Sequence, residues 1–508
     1  MLGWRRTTVL FILAAIASGR AQAQTQDLVE LRRAVAQAGG RVIVTLKSTR
    51  GAAIRVPGSP PVSLDELNSL QARLQVDYPV QLHLLLPSIG AVVATISDAD
   101  IARLAADPNV DAIEPDVKTY LTTAMSSPAT RPTRVRADAI PWGVSTVGAP
   151  AAWAAGLTGA GVKVGIMDSG IDYTHPDLNV VGGFDFNTSS GAPAAYNDNN
   201  TACNGHGTHV SGTVAAKQNG SGVVGVAPGA SLYALRVFNS DAASGCFAYL
   251  SSQILALQWA VTNRLDVVSI SIGNGASSAY ATAVANANVA GVVVVAAAGN
   301  SGAPGIAYPA AAPGAIAVAA LDPGNTVAGY SSSGPEMWIA APGSGIESTM
   351  PGGGTGSKSG TSMATPHVTG VVALIRQAHP TWTVDQVRTE LKNDAIDVAA
   401  PGFDNNSGWG LVQAPPTGVV PITVAVSPAV RSASVQQGNA APGDNATVTL
   451  SGTNASTTAW SATKKKTWTT LTIASGTGSG TVAWTRNATG LAVEIGRASC
   501  RERVCVPV

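Results

Sequence analysis

Charged residues are scarce in this chain of 508 residues, at 12% against about 25% in an average protein. The 31 basic and 30 acidic residues nearly cancel to a formal net charge of +1, so no basic stripe points to nucleic acid or another polyanionic partner. Long apolar runs are also lacking beyond the N-terminus, and a bilayer span needs roughly 18 or more such residues. We therefore expect no nucleic-acid partner and no membrane span in the mature chain.

Two common hydrolytic signatures are incomplete. His206 and His209 lie three residues apart, whereas zinc peptidases of the His-Glu-x-x-His type need histidines four apart with a glutamate between them. Ser362 lacks the Gly-x-Ser-x-Gly elbow of the α/β-hydrolases, because Ala364 occupies the position of the second glycine. The sequence thus disfavours both classes and predicts that His209 is a buried residue of the helix that His206 begins.

The chain does contain an acid, a base and a hydroxyl in three short segments. Asp168 lies in Ile-Met-Asp-Ser-Gly, His206 in Asn-Gly-His-Gly-Thr-His, and Ser362 in Gly-Thr-Ser-Met-Ala. Taken alone, each has a structural alternative, namely a strand-end turn, a metal ligand and a helix cap. Together they fit nucleophilic catalysis, in which an imidazole takes the serine proton and a carboxylate holds the imidazole. The order Asp, His, Ser is the subtilisin arrangement.

On these motifs the chain resembles the subtilisin-like serine proteases from about residue 141 to residue 410. Further segments carry the resemblance in family order: Gly225-Val226-Ala227-Pro228, Ser271-Ile272-Gly273, Ala297-Ala298-Gly299-Asn300 and Ala341-Pro342-Gly343. The resemblance implies a secreted, monomeric serine endopeptidase that is made as a zymogen and cleaves proteins or peptides through an acyl-enzyme.

Apolar strand-like runs alternate with helical stretches from Val162 onward. The predicted strands cover 162–167, 232–237, 267–272, 292–297 and 315–319, and the helices between them include 252–263 and 280–290. This alternation predicts an α/β fold with a parallel sheet sandwiched by helices. Ligands of such sheets bind beyond the carboxyl ends of the strands, and Asp168 and Asn300 both follow predicted strand ends.

Asn300 is predicted to donate its side-chain amide to the oxyanion, together with the backbone N–H of Ser362; the alternative is an ordinary turn residue. Substrate should pair as an extended strand with residues 271–273 and the edge near 245–249. The resemblance adds pocket residues, so the predicted substrate-binding set is Ser271, Ile272, Gly273, Ala298, Gly299 and Ala307. Because some relatives have glycine where this chain has Ala307, we predict a shallower apolar pocket.

The resemblance also implies a structural calcium ion (Ca2+). The loop 217–223 matches the family's calcium loop in length, with Asp177 as a distant carboxylate, and oxygen ligands of this kind suit calcium. Asp177 and Asn219 would bind through their side chains. Lys217, Ser221 and Val223 would bind through their carbonyl oxygens.

Four cysteines are present, and Cys203 and Cys246 lie within the region of resemblance. Export favours a disulfide between them, which would tie the loop before His206 to the substrate edge. The alternative is two separate, half-buried thiols.

The N-terminal third reads as a series of export and maturation segments. Residues 1–23 combine arginines, an apolar run and Ala-Gln-Ala, as in a signal peptide. Residues 24–117 predict a small α+β unit that resembles the family's inhibitory prodomain, an intramolecular inhibitor. Residues 118–139 are rich in Thr, Ser, Pro and Arg and are predicted to form an exposed linker with the maturation site. The catalytic domain is expected at 140–414.

The composition changes towards the C-terminus. Residues 415–495 are rich in Thr, Ser, Val and Gly and predict an immunoglobulin-like, truncated β-sandwich that resembles BACON modules. The alternative function follows from this part: a surface- or glycan-binding protein in which the β module is the main functional part. Residues 496–508 interrupt the β pattern, resemble translated sequencing-adapter read-through, and are predicted to be a non-native tail.

Overall fold

The computed structural model describes most of the chain up to residue 415 and short stretches beyond it. The described residues are 28–47, 64–121, 138–241, 245–415, 423–427, 430–433, 444–451, 459–461, 469–473, 475–477, 479–486 and 500–503. The predicted signal peptide and most of the predicted linker lie outside them. The chain divides into two compact units, of which the first holds residues up to 414 except 151–157 and 377–380. No helix in the described stretches has both the length and the apolar character that a membrane crossing requires.

The N-terminal part of the first unit is a small α+β fold. An antiparallel sheet has the order β2-β3-β1-β4, and its strands are β1 (Arg41–Leu46), β2 (Gln81–Leu86), β3 (Ala91–Thr95) and β4 (Val110–Pro115). Three helices accompany it: α1 (28–37), α2 (Leu64–Asp77) and α3 (Asp98–Ala105). The apolar side chains of α2 and α3 pack against β1 and β3 because they recur at helical spacing. The sequence predicts strands at 41–46, 81–86 and 92–96 and helices at 64–76 and 98–106, and these agree with the observed bounds to within one residue. Helix α1 was not predicted.

The α/β core follows the N-terminal fold, which ends with β5 (Lys118–Tyr120). The elements after β5 run in chain order as α4 (Trp142–Thr146), α5 (Ala149–Ala154), β6 (Lys163–Asp168), β7 (Val180–Asp185), α6 (His206–Ala215), β8 (Ser231–Arg236), β9 (Phe238–Asp241), β10 (Gly245–Tyr249), α7 (Leu250–Thr262), β11 (Val267–Ile270), α8 (Ser278–Val289), β12 (Val293–Ala297), β13 (Ile316–Leu321), β14 (Met337–Pro342), β15 (Ile346–Met350), β16 (Gly354–Lys358), α9 (Thr361–Ala378) and α10 (Val384–Asp394).

Seven parallel strands form the central sheet, in the order β14-β13-β12-β11-β6-β8-β7. Every residue of β11, β12 and β13 is buried, as expected of parallel strands covered on both faces by helices. The predicted α/β fold with a parallel sheet flanked by helices is therefore confirmed. Strands β7 and β14 were not predicted, because β7 contains two glycines and β14 ends in proline, and both residues are poor strand formers.

The start of the predicted linker is not exposed loop. β5 pairs antiparallel with β10, which in turn pairs with β9 in a three-stranded sheet. The prediction that the linker begins at Lys118 was therefore wrong for residues 118–120. Their polar composition does not indicate a strand, because the strand forms only by pairing with the distant β10.

The second unit contains antiparallel strands in its described C-terminal part. A four-stranded sheet has the order β17-β19-β23-β21, and two further pairs are β18-β24 and β20-β22. The bounds are β17 (Thr423–Ser427), β18 (Val430–Ala433), β19 (Asp444–Ser451), β20 (Ala459–Ser461), β21 (Thr469–Ile473), β22 (Ser475–Thr477), β23 (Gly480–Arg486) and β24 (Cys500–Arg503). The predicted tail thus includes one strand, β24.

Candidate active site

An acid and a histidine meet at the carboxyl end of the central sheet. Asp168 is the last residue of β6 and is fully buried, and His206 is the first residue of α6. His206 Nδ1 lies 2.8 Å from Oδ1 and 2.9 Å from Oδ2 of Asp168. An ionised carboxylate can only accept hydrogen bonds, so this contact places the imidazole proton on Nδ1 and leaves Nε2 as an acceptor. Nε2 is buried and has no hydrogen-bond partner among the described residues.

The sheet register and two hydrogen bonds anchor Ser362 to the end of the strand next to β6. Met167 of β6 is paired with Ile270 of β11, so the next residues of the two strands, Asp168 and Ser271, lie side by side. Ser271 Oγ donates to the Ser362 carbonyl at 2.9 Å, and Ser362 Oγ makes a long contact of 3.4 Å to the Ser271 carbonyl. The base and the hydroxyl are thus anchored to adjacent strands at one edge.

Asn300 is oriented by the turn that begins helix α9. Its Oδ1 accepts hydrogen bonds from the backbone N–H and the hydroxyl of Thr361, both at 2.9 Å. Since the oxygen is engaged in this way, the Nδ2 donors point away from Thr361. Ser362 is the second residue of α9, where a backbone N–H has no intrahelical acceptor. Two donors, one from a side chain and one from a helix N-terminus, are therefore available at the same cavity.

Three buried groups behind the Asp168–His206 pair were not identified from the sequence. Ser169 Oγ accepts from Gly207 N at 2.9 Å, which ties the strand end to helix α6. Asp198 accepts from Thr208 N at 2.9 Å and from the Thr208 hydroxyl at 2.7 Å. Burial raises the pKa of Asp198, and the hydrogen bonds from Thr208 oppose that shift. The Asn-Asp-Asn-Asn composition of 197–200 was the available signal, but it predicts only a loop.

Two other histidines are structural and neutral. His209 Nε2 lies 2.9 Å from the Ile346 carbonyl, and His367 Nδ1 lies 2.9 Å from the Met363 carbonyl. Burial lowers the pKa of His209 to about 3 and that of His367 to about 4. His209 is fully buried within α6, as predicted.

A disulfide joins Cys203 to Cys246, in agreement with the pairing favoured by the sequence. Cys203 ends a short 3-10 helix three residues before His206, and Cys246 lies in β10. Gly205, between Cys203 and His206, has a left-handed backbone conformation (φ 62°), and a Cβ added to it would clash with the Pro351 ring. Lys358 Nζ donates to the Asn204 carbonyl at 2.9 Å on the other side of this loop. The loop before His206 is thus held by the disulfide, by close packing of Gly205 on Pro351 and by the hydrogen bond from Lys358.

Ser362 and Asn300 line one cavity of about 310 Å³. Its walls include five of the six predicted substrate-binding residues: Ser271, Ile272, Gly273, Gly299 and Ala307. Ala298 does not line it, because its side chain is fully buried and its backbone bonds to Val318 and Ala307. An added Cβ on Gly273 would lie 3.0 Å from the Ala307 Cβ, so that methyl group narrows the cavity.

The N-terminal fold ends in this cavity. Leu121, which follows β5, donates its N–H to the Cys246 carbonyl at 3.1 Å, and Tyr120 and Leu121 both line the cavity. Two carboxylates upstream cap core helices: Glu114 accepts from Ala279 N at 3.0 Å, and Asp116 accepts from Ser251 N at 2.9 Å. Carboxylates favour helix N-termini because of the free N–H groups and the helix dipole. Residues 118–121 therefore occupy the edge on which we expected substrate to lie.

The predicted calcium residues lie together. Asp177 is 3% exposed and accepts from Asn219 Nδ2 at 2.8 Å and Val223 N at 3.3 Å, while its carbonyl accepts from Lys217 N at 2.8 Å. No cation of the described residues pairs with it. A second carboxylate, Asp138, was missed: it accepts from Asn219 N and Gly220 N at 3.1 and 2.7 Å. A buried carboxylate without a cationic partner, beside a loop rich in oxygen atoms, fits calcium chemistry.

Comparisons with known proteins agree with this geometry. The sequence model of the subtilase family matches residues 159–410. The chain is 43% identical to subtilisin E of Bacillus subtilis (strain 168) over 312 residues, covering 60% of this chain and 76% of that protein. It is 42% identical to M-protease of Shouchella clausii (strain KSM-K16) over 352 residues, 69% and 85% of the two chains. Identity to subtilisin BL of Lederbergia lenta is 47% over 279 residues, 55% and 98%.

Proposed function

This chain belongs to the subtilase family and is a serine endopeptidase, and from that premise we propose that Ser362 is its nucleophile, His206 its general base and Asp168 the residue that holds His206. The observation that carries the assignment is the buried Nε2 of His206, which has no hydrogen-bond partner in the described part of the chain, while Nδ1 is held by both oxygens of Asp168. An imidazole fixed in this tautomer accepts the proton of an attacking hydroxyl.

The reaction follows from these positions. Rotation of Ser362 Oγ from the Ser271 carbonyl towards Nε2 lets the hydroxyl lose its proton to His206 as it attacks the substrate carbonyl. The imidazolium is stabilised by Asp168 and returns the proton to the leaving amine, and water then hydrolyses the acyl-enzyme by the same route. Long hydrogen bonds are common at such sites before substrate binds.

The developing oxyanion is stabilised by Asn300 Nδ2 and the backbone N–H of Ser362. Thr361 supports this role, because its two hydrogen bonds to Oδ1 orient the amide without using its donors. Preorganised donors of this kind stabilise the transition state more than the substrate.

Peptide substrate pairs with β10 and residues 271–273, and the residue before the cut bond enters the cavity narrowed by Ala307. The antiparallel pairing of β5 with β10 supports this path. Most of the side chains that line the cavity are small or apolar, and none of the described lining residues is charged, so uncharged substrate side chains fit best.

The N-terminal fold is proposed to be an inhibitory prodomain, and the chain a self-processing zymogen. Leu121 and Ser362 line the same cavity, which supports a first cut just beyond Leu121 rather than deep in the following segment. Export by the N-terminal 23 residues precedes this step. For 415–495 we propose an appended all-β domain, which the antiparallel sheet β17-β19-β23-β21 supports.

Calcium is proposed as a structural ion held by Asp177, Asn219 and the carbonyls of 217–223, with Asp138 as a further carboxylate. When bound, it supplies positive charge to the buried Asp177. In the Ser362→Ala variant, which does not degrade itself, we expect a chelator to lower the Tm by several degrees, because a ligand at a hundredfold excess over its Kd stabilises by about 2.7 kcal/mol. Asp177→Asn should abolish the effect, and a Tm that is insensitive to chelator would contradict the site.

The experiment that tests the function is the intact mass of the exported wild-type chain beside its Ser362→Ala variant. We expect the wild type to lose the N-terminal fold by a cut near Leu121 and the variant to stay joined, because loss of the nucleophile costs about 10⁶-fold in subtilisin, the relative in which it is known. Fluorophosphonate should label the wild type alone. Equal masses with no labelling would reject the assignment.

A further inference from the structure

Thr119 lies in a buried polar environment on the cleft side of β5. It is paired with Ala248 of β10, and only 7% of the residue is exposed. Its two neighbours in the strand are more exposed. Tyr120 is 52% exposed, and Lys118 is partly exposed, with its ammonium group 4.0 Å from the centre of the Phe247 ring. The alternation of a strand therefore directs the Thr119 hydroxyl into the protein.

The Thr119 hydroxyl donates to Asn274 Oδ1. Asn274 Nδ2 donates to Gln253 Oε1 at 2.8 Å, and Gln253 Nε2 lies 3.3 Å from Asn274 Oδ1, so the two amides bond to each other. Gln253 also accepts from the Tyr280 hydroxyl at 3.1 Å. Gln253 and Tyr280 are fully buried, and Asn274 is 8% exposed.

This amide pair belongs to the core and does not depend on β5 for its orientation. The backbone of Asn274 bonds to Tyr308 in both directions, at 2.7 and 2.9 Å, which fixes the residue. Gln253 then determines which side-chain atom of Asn274 faces the cleft, and that atom is the acceptor Oδ1. A neutral, buried acceptor favours a small side chain with a hydroxyl donor over an aliphatic or charged one.

We propose that Asn274 and Gln253 make this endopeptidase selective for threonine or serine at the substrate position that pairs with Ala248. The inference rests on the proposed function, because it takes β5 as a stand-in for a peptide substrate at the same edge. When the prodomain leaves, a substrate residue replaces Thr119 and donates its hydroxyl to Asn274 Oδ1. Recognition by hydrogen bonding discriminates strongly against an isostere that lacks the donor.

The test uses the processed enzyme and fluorogenic peptides with the chain's own residues 117–124, in which the position of Thr119 carries Thr, Ser or Val. We expect kcat/KM to be roughly tenfold higher for Thr than for Val, which has the same shape without the donor. Ser should lie close to Thr. In Asn274→Ala and in Gln253→Leu the preference for Thr over Val should fall to about twofold or less.

Gln258→Leu is the matched control on the same helix, since Gln258 contacts Ser88 of the N-terminal fold and not Thr119. It should keep the wild-type preference. Equal rates for Thr and Val in the wild type would overturn the selectivity, as would a preference unchanged in both amide variants that still react with fluorophosphonate. Failure of the proposed function is distinguishable, because the wild type would then cleave no peptide and take up no fluorophosphonate.

Discussion

The two ends of the cleft differ in how their polar atoms are used. At the proposed reacting end, the described residues offer no hydrogen-bond partner to His206 Nε2, and their hydrogen bonds to the Asn300 side chain use only its oxygen. At the recognition end, Thr119, Asn274 and Gln253 bond to one another. A catalytic group keeps bonding capacity for charge that forms during the reaction, whereas a specificity group is held in one orientation by its neighbours.

The comparison predicts its largest effect at Asn300. In Asn300→Ala we expect kcat to fall about 100- to 1,000-fold with KM little changed, the range known for such a donor in subtilisin. Ser301→Ala is the control, because Ser301 lines the same cavity but its hydroxyl bonds to Ser332 and Ala303. A loss below tenfold, or one confined to KM, would mean that Asn300 is only a turn residue.

The two buried histidines, His209 and His367, predict that the stability of the protein depends on pH. Burial holds the pKa of His209 near 3 and that of His367 near 4, so the unfolded chain, with values near 6.5, binds more protons as pH falls below neutral. Stability is therefore lost as the pH falls. The loss approaches about 1.4 kcal/mol per pH unit for each histidine below the unfolded-state pKa of about 6.5, which gives about 4 kcal/mol for both between pH 7 and 5.

The measurement is urea unfolding of the Ser362→Ala variant across this pH range. Adding His367→Gln should remove nearly half of the slope that the two buried histidines contribute. A slope that is the same with and without His367 would show that this histidine is not held neutral.

The smallest predicted effect concerns the depth of the pocket. Ala307→Gly removes the methyl group opposite Gly273 and should raise kcat/KM for Phe over Ala before the cut bond by several-fold, since one methyl group changes selectivity by about 1–3 kcal/mol. Gly273→Ala narrows the same space from the other wall and should lower that ratio. If the ratio of kcat/KM for Phe over Ala changed in the same direction in both variants, the two residues would not line one pocket.

Local sequence signals agree with the elements around the proposed reacting end. Asp168 ends an apolar buried strand, whose bounds were predicted to within one residue, and Ser362 is the second residue of a long helix. The sequence also favoured the pairing of Cys203 with Cys246, because exported proteins commonly form disulfides. The structure contains this disulfide.

Residues that act through distant partners were not predictable. Asp198 accepts a hydrogen bond from helix α6 but lies in a loop of ordinary Asn-Asp composition. Asp138 accepts a hydrogen bond from the loop at 217–223 but lies in a segment that was expected to be linker. Lys118–Tyr120 reads as polar linker until β10, more than 120 residues away, supplies its pairing partner. Tertiary pairing of this kind overrides local propensity.

In the proposed zymogen, the covalent attachment of β5 to the core makes inhibition independent of concentration before processing and dependent on it afterwards. While the chain is intact, residues 118–121 meet β10 at an effective concentration in the roughly millimolar range, so even a weak strand fills the cleft. Once the bond beyond Leu121 is cut, the released fragment is present only at the concentration of the protein itself. Dilution of the proposed enzyme then activates it, and we expect the activity per molecule to rise as the concentration of the released fragment falls.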